Sequence, residues 1–134
     1  MLKIESEEVN VDCSNEECFI FLSNLNNYNQ LLPKNKISNW ESETHRCSFK
    51  IQNAYKLELI YQDSTQPTSI VLVSGDSSPI KFTLNINLKQ LDGGATSAQI
   101  ICDAKINPVL RMMIEKPLKN LFDYMADRLI KVMS

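Results

Sequence analysis

The segment Asn107–Ile130, NPVLRMMIEKPLKNLFDYMADRLI, decides the fold of this chain. It opens with a good N-cap residue, Asn107, and with Pro108, a residue that suits the first position of a helix. Apolar residues then recur at helical spacing, at Leu110, Met113, Pro117, Leu118, Leu121, Met125, Leu129 and Val132. The pattern predicts one long amphipathic helix at the C-terminal end.

The predicted helix contains a proline and three of the five methionines, Met112, Met113 and Met125. A proline inside a helix costs roughly 3 kcal/mol. Three interpretations follow for Pro117. It kinks the helix so that Met112 and Met113 form the wall of an adaptable pocket, it bends the helix to follow a curved sheet, or the helix begins only near Pro117. Methionines at this spacing also fit a plain core.

Upstream of this helix, between residues 36 and 106, the apolar period changes to two. The clearest run is Ile80–Leu88, in which apolar residues alternate with Lys81, Thr83, Asn85 and Asn87. Such alternation is typical of strands with one face in water. Short turn-forming stretches separate the runs and predict hairpins in an antiparallel meander.

The N-terminal third predicts a strand followed by two short helices. Ser14–Glu17 has the capping-box pattern of a helix start, and a second helix is predicted over Tyr28–Leu32, before Pro33. Leu2–Val11 alternates in two pairs that are out of phase, which predicts a bulge or irregularity near Ser6–Glu8.

These elements predict an α+β fold. A curved antiparallel sheet of about six or seven strands has two short helices near the N-terminus and a long C-terminal helix over its concave face. A length of 134 residues suits one domain covering residues 1–134.

Composition argues against several classes of protein. The net charge of −2 and the absence of a basic stripe argue against a nucleic-acid partner. The sequence has no apolar stretch of about 18 residues and no signal-peptide pattern, so we expect a cytoplasmic protein without stable membrane insertion. His45 is the single histidine and the cysteines lack CxxC spacing, so neither a metal nor another cofactor is expected. The cysteines, interpreted as small apolar residues, are Cys13, Cys18, Cys47 and Cys102.

Three segments carry a resemblance to a known superfamily: FIFLSNLNNYNQLLP (19–33), NWESETHRCSFKI (39–51) and EKPLKNLFDYMADRL (115–129). With the order of elements, the chain resembles the START-like or SRPBCC superfamily, and most of all its small bacterial members. The superfamily includes polyketide cyclase-like proteins, and the resemblance implies its helix-grip fold. The resemblance covers essentially the whole chain and rests on features of the fold. It implies an apolar or amphipathic ligand held between the long helix and the sheet, in a cavity reduced by the short chain.

The candidate ligand-binding residues are the apolar and aromatic residues expected to face that space: Trp40, Phe49, Tyr61, Leu72, Phe82, Leu84, Met112, Met113, Pro117 and Leu121. Trp40 either plugs the core or lines the mouth of the cavity. The hydroxyl of Tyr61 either orients a polar head group or, as we favour, bonds to backbone.

The expected function is therefore the binding of a lipid, isoprenoid, quinone or polycyclic compound. A cyclase or dehydratase is an alternative, although the sequence shows no catalytic constellation: His45 lies in a predicted turn, and Glu41 and Glu43 read as surface acids. The third alternative is a ligand-free adaptor or homodimer, in which Val71, Val73 and Ile101, on the outer parity of their strands, form a contact patch.

Overall fold

A computed structural model describes residues 2–134. In chain order its strands and α-helices are β1 (Leu2–Glu5), β2 (Val9–Val11), α1 (Asn15–Ser23), β3 (Ile37–Glu43), β4 (Arg46–Ile51), β5 (Tyr55–Thr65), β6 (Ser69–Ser74), β7 (Lys81–Gln90), β8 (Thr96–Lys105) and α2 (Pro108–Val132). Two 3-10 helices cover Leu25–Gln30 and Asp92–Gly94.

All strands join one antiparallel sheet in the order β1-β8-β7-β6-β5-β4-β3, and β2 pairs with the first residues of β8. The predicted α+β, helix-grip arrangement is confirmed. The sheet has eight strands because Leu2–Val11 divides into two short ones at the predicted irregularity. At that point Ser6 is buried and forms two hydrogen bonds with Ile100 of β8. Its backbone N–H donates to the Ile100 carbonyl (2.8 Å), and its Oγ accepts from the Ile100 N–H (2.9 Å).

The two short N-terminal helices are present and capped by side chains. Ser14 Oγ accepts from the Glu17 backbone N–H (3.1 Å), which confirms Ser14 as the N-cap of the predicted helix. The second helix starts at Leu25, earlier than the predicted Tyr28, because Asn24 Oδ1 accepts from the Asn26 N–H (3.1 Å) and so caps the chain one turn sooner.

α2 is one continuous helix, with Asn107 Oδ1 accepting from the Leu110 N–H (2.8 Å) at its start. The interpretation in which the helix begins near Pro117 is therefore wrong. The helix covers the apolar face of the sheet with a stripe of buried side chains, at Ile114, Leu118, Leu121, Phe122, Met125, Ala126 and Leu129. Within residues 2–134, no helix combines the length and apolar composition needed to cross a bilayer.

Two hydrogen bonds tie α2 to the N-terminal third of the chain. The Glu7 backbone N–H donates to Asp123 Oδ1 (2.8 Å), and Arg128 Nε donates to the Gln30 carbonyl (3.2 Å). Both bonds are made by the half of the helix that follows Pro117, which is also the half that supplies six of its seven buried residues. That half is therefore anchored both by packing and by hydrogen bonds.

On the outer face of the sheet, Glu58 holds the loop between β6 and β7 by hydrogen bonds. Its carboxylate accepts from Arg46 Nη2 (2.8 Å) and Nε (3.1 Å), and from Ser77 Oγ (2.8 Å). The loop approaches closely because Gly75 has no side chain; a Cβ there would overlap the Glu58 carboxylate. The hydrogen bonds from Arg46 hold the pKa of Glu58 below its ordinary value of 4.5.

We predict that Glu58→Gln lowers the free energy of unfolding at pH 7 by about 2 kcal/mol, because the Glu58 side chain is only 12% exposed and its hydrogen bonds involve charged groups. Since its pKa is lowered in the folded state, Glu58 contributes full stability above pH 4.5 and loses it as the pH falls through the folded-state value. Urea denaturation between pH 7 and pH 3 measures the free energies of unfolding of wild type and variant. The difference between the two should shrink as the pH falls.

Glu41→Gln is the matched control, because Glu41 is exposed and forms no ion pair with the residues that the structure describes. A Glu58→Gln effect that stays constant down to pH 3, or one equalled by Glu41→Gln, would contradict the assignment.

Candidate functional site

The space between α2 and the sheet is almost completely filled by side chains. One void of about 10 Å³ is lined by Phe49, Leu57, Leu59, Phe82, Leu84, Cys102, Leu118, Leu121, Phe122 and Met125. A second void of about 10 Å³, also against Met125, lies nearer the N-terminal helices. Each has room for about one water molecule. Among the described residues 2–134, these voids are far smaller than the predicted ligand cavity, because large apolar residues pack closely beneath the helix.

A larger pocket opens beside this packed space. We call it the mouth pocket: it has a volume of about 290 Å³ and lies between the middle of α2, the chain that follows the first 3-10 helix, and the end of β4. Its lining residues are Pro33, Asn35, Lys36, Ile51, Gln52, Pro117, Asn120, Leu121 and Tyr124. The volume is close to the lower end of the range for small-molecule sites.

Leu121 belongs to both spaces. It lines the mouth pocket and also the inner void beside Phe49 and Phe82. Around the mouth pocket stand Asn35, Lys36 and other polar groups, whereas its apolar wall continues, past Leu121, into the core. A molecule seated there meets hydrogen-bonding groups at one end and an apolar wall at the other.

The structure separates the ten predicted ligand-binding residues into groups. Phe49, Phe82, Leu84 and Leu121 line the inner void, and Pro117 joins Leu121 at the mouth pocket. Leu72 is fully buried in the core.

Met112 and Met113 lie outside the helix–sheet space. They are 87% and 57% exposed, so a role in the wall of an interior pocket is not available to them in this structure. The phase of the helix gives the reason: one turn before the buried Leu118 is Ile114, whereas Met113 is one turn before the partly exposed Pro117.

Trp40 lies in an irregular part of β3. The pairing register with β4 shifts between Ser38 and Glu41, and Asn39 has a left-handed φ of 56°. Such a bulge redirects the side chain that follows it. Trp40 is half-buried and stacks on Phe49, with ring centroids 6.1 Å apart, so it packs on the edge of the core.

The hydroxyl of Tyr61 bonds to the Ser64 hydroxyl on the same strand and not to backbone, the partner that we favoured. Its ring lies 5.3 Å from that of His45, centroid to centroid. His45 itself is exposed in the turn between β3 and β4, as predicted. Neither residue lines the mouth pocket or the inner void.

Sequence patterns did not single out the polar half of the mouth pocket. Lys36, Gln52, Asn120 and Tyr124 come from three separate parts of the chain, and each one alone reads as a surface residue. Two features of the sequence pointed to this region. Pro33 ends the short helices, and Asn120 lies one turn after Pro117 on the long helix.

The four cysteines are buried, as their interpretation as small apolar residues predicts. Cys13 and Cys18 lie side by side with their sulfur atoms in contact. Burial, and secondly the neighbouring Cys13 thiol, raises the pKa of Cys18 to about 12. Burial likewise raises the pKa values of Cys47 and Cys102 to about 12. Residues 2–134 contain no group of three or more His, Cys, Asp and Glu side chains placed to hold a metal ion.

Comparison with known proteins agrees at the level of the fold. No family model and no curated protein matches the sequence. Among solved structures, a START superfamily protein from Mycobacterium smegmatis superimposes with a TM-score of 0.71 at 13% identity, over 98% of this chain and 96% of that one. The protein XoxI from Bacillus cereus gives 0.77 at 8% identity, over 99% and 96%.

A third similar structure is the di-domain ARO/CYC protein BexL of the BE-7585A biosynthetic pathway. Its TM-score is 0.66 at 9% identity, over 96% of this chain and 46% of BexL, about one of its two domains. Together with the topology, these similarities show that the chain has the START-like fold, shared with polyketide cyclase-like proteins. At sequence identities this low, the similarity establishes the fold alone.

We predict that Met125→Ala lowers the free energy of unfolding by about 2–5 kcal/mol. Met125 is 2% exposed and lines both inner voids, so its removal leaves a cavity that joins them. Met112→Ala, on the same helix at an exposed position, should change the free energy by no more than about 0.5 kcal/mol. Urea denaturation of the two variants distinguishes a packed interior from an empty one; similar small losses would contradict the filled core.

Proposed function

We propose that this protein binds a small amphipathic molecule at the mouth pocket, with the apolar part of the ligand directed towards the helix–sheet core. The observation that carries the proposal is the position of Leu121, which separates a pocket of about 290 Å³ from the apolar interior. The START-like fold supports it, since the similar structures include a START superfamily protein and an aromatase/cyclase-type protein.

The lining of the mouth pocket favours an amphipathic ligand over a purely apolar one. Pro33, Ile51 and Pro117 offer apolar surface, while Asn35 and Lys36 offer hydrogen bonds on the solvent side. Lys36 is the one charged residue of the lining, so an anionic head group such as a carboxylate suits the site.

The affinity should be modest. Burying about 300 Å² of apolar ligand surface contributes roughly 7 kcal/mol before the cost of ordering the ligand. A ligand that extends beyond the mouth must also displace Leu121 from its packed position, because the space behind it is filled. Micromolar binding that improves with chain length, until the pocket is full, is therefore the expected behaviour.

Enzymatic chemistry has less support. No carboxylate or imidazole is among the described residues that line the mouth pocket or either inner void. General acid or base catalysis needs such a group within hydrogen-bond reach of the substrate. Binding is therefore the function that this geometry supports best.

The test is calorimetric titration with saturated fatty acids of eight to sixteen carbons and with the matching alcohols. We predict that Asn120→Trp, which fills the mouth pocket from an exposed position, weakens fatty-acid binding at least tenfold. Asp127→Trp, exposed on the same helix and outside the pocket, should bind like wild type.

Lys36→Gln should weaken the binding of the acids and leave that of the alcohols unchanged. Native mass spectrometry of protein purified from cells would identify a co-purified molecule directly. The proposal fails if wild type binds none of the series and carries no small molecule, or if Asn120→Trp and Asp127→Trp bind equally well.

A further inference from the structure

The first two turns of α2 present apolar side chains to solvent. Val109 is 71% exposed, Met112 87% and Met113 57%. Positions i, i+3 and i+4 share one side of a helix, so the three form a single surface, which we call the helix tip. Exposing three large apolar side chains together is unfavourable in water, and such clusters mark contact sites.

Three lysines without acidic partners lie near the helix tip along the chain or across the sheet. Lys116 continues the same side of the helix one turn further on. Lys105 ends β8 just before the helix, and Lys81 lies directly opposite it in the sheet, although two like charges in such a pair repel. None of the three forms a salt bridge with another residue of the described range 2–134.

Most acidic residues of this region are paired. Glu115 pairs with Arg111 at 2.9 Å, Asp123 with Lys119 at 2.8 Å, and Glu5 with Lys3 at 3.9 Å. Asp103, opposite Lys3 in the sheet, forms no salt bridge within residues 2–134, and it is one acid against the three unpaired lysines. The charge left uncompensated around the helix tip is therefore positive, although the whole chain has a net charge of −2.

We propose that the helix tip docks on the surface of an anionic lipid bilayer. Val109, Met112 and Met113 enter the head-group region, while Lys81, Lys105 and Lys116 bind lipid phosphate oxygens. Apolar residues ringed by cations are the combination that interfacial anchors use. A second copy of the chain fits less well, because a two-fold interface would bring the same lysines together. The contact is peripheral, and it is independent of the ligand proposed for the mouth pocket.

The test is co-sedimentation with vesicles at 100 mM salt, comparing equimolar phosphatidylglycerol and phosphatidylcholine with phosphatidylcholine alone. Wild type should bind the anionic vesicles at least tenfold more tightly, and higher salt should weaken that binding. Met112→Glu should reduce it at least tenfold. Ile20→Glu is the matched control, because Ile20 is 61% exposed on α1, away from the helix tip, and its replacement should leave binding unchanged.

A second pair of variants tests the lysines. Lys81→Glu combined with Lys105→Glu should weaken vesicle binding at least tenfold, whereas Lys131→Glu, at the far end of α2, should not. All these positions are exposed, and thermal unfolding confirms that each variant is folded.

Four outcomes would overturn the proposal. They are no binding to anionic vesicles, equal binding to neutral ones, equal losses in Met112→Glu and Ile20→Glu, and a wild-type dimer in light scattering that Met112→Glu dissociates. The last result would assign the helix tip to a second copy. The Asn120→Trp variant should bind vesicles normally, so failure of the ligand site and failure of the docking site are distinguishable.

Discussion

The structure depends on the burial of one sheet face by the second half of α2. Every strand from β4 to β8 presents apolar residues to that face, and no other helix within residues 2–134 is long enough to cover it. The buried stripe from Leu118 to Leu129 supplies the cover, and the bonds of Asp123 and Arg128 fix its position. Because the hydrophobic contribution scales with the area removed from water, this contact outweighs any single hydrogen bond in the molecule.

The same burial limits what the protein can hold. Between helix and sheet, Phe49, Phe82 and Phe122 occupy the space and leave a void of about 10 Å³. Next to this packed space, room for a guest exists where the contact ends, at the mouth pocket. A ligand therefore competes with the protein's own side chains for the interior, and Leu121 is the first of them that it meets.

The fold was readable from the sequence because period, caps and turns are local properties. The alternation over Ile80–Leu88, the Ser14 capping box and the Asn107 cap each predicted an element that the structure contains. The alternation of apolar and polar residues likewise predicted which strand residues face the core.

The site was less readable because it depends on volume and on phase. Whether inward aromatic residues enclose a cavity or fill it is set by how their volumes add up, which alternation does not encode. The helical phase differs by one residue from the predicted one, so Ile114 is buried and Met113 is not. A bulge at Asn39 directs Trp40 onto Phe49. The mouth pocket unites three distant segments, so no local pattern contains it.

Pro117 gives α2 unequal halves. Its ring nitrogen carries no hydrogen, so the Met113 carbonyl lacks its usual helical donor at the boundary between the anchored half and the leading turns. Pro117 is at the same time a wall of the mouth pocket. The helical wall of the pocket consists of Pro117 and of three residues of the anchored half, Asn120, Leu121 and Tyr124. The leading turns contribute none of the described lining residues, so they can shift about Pro117 without moving the rest of this wall.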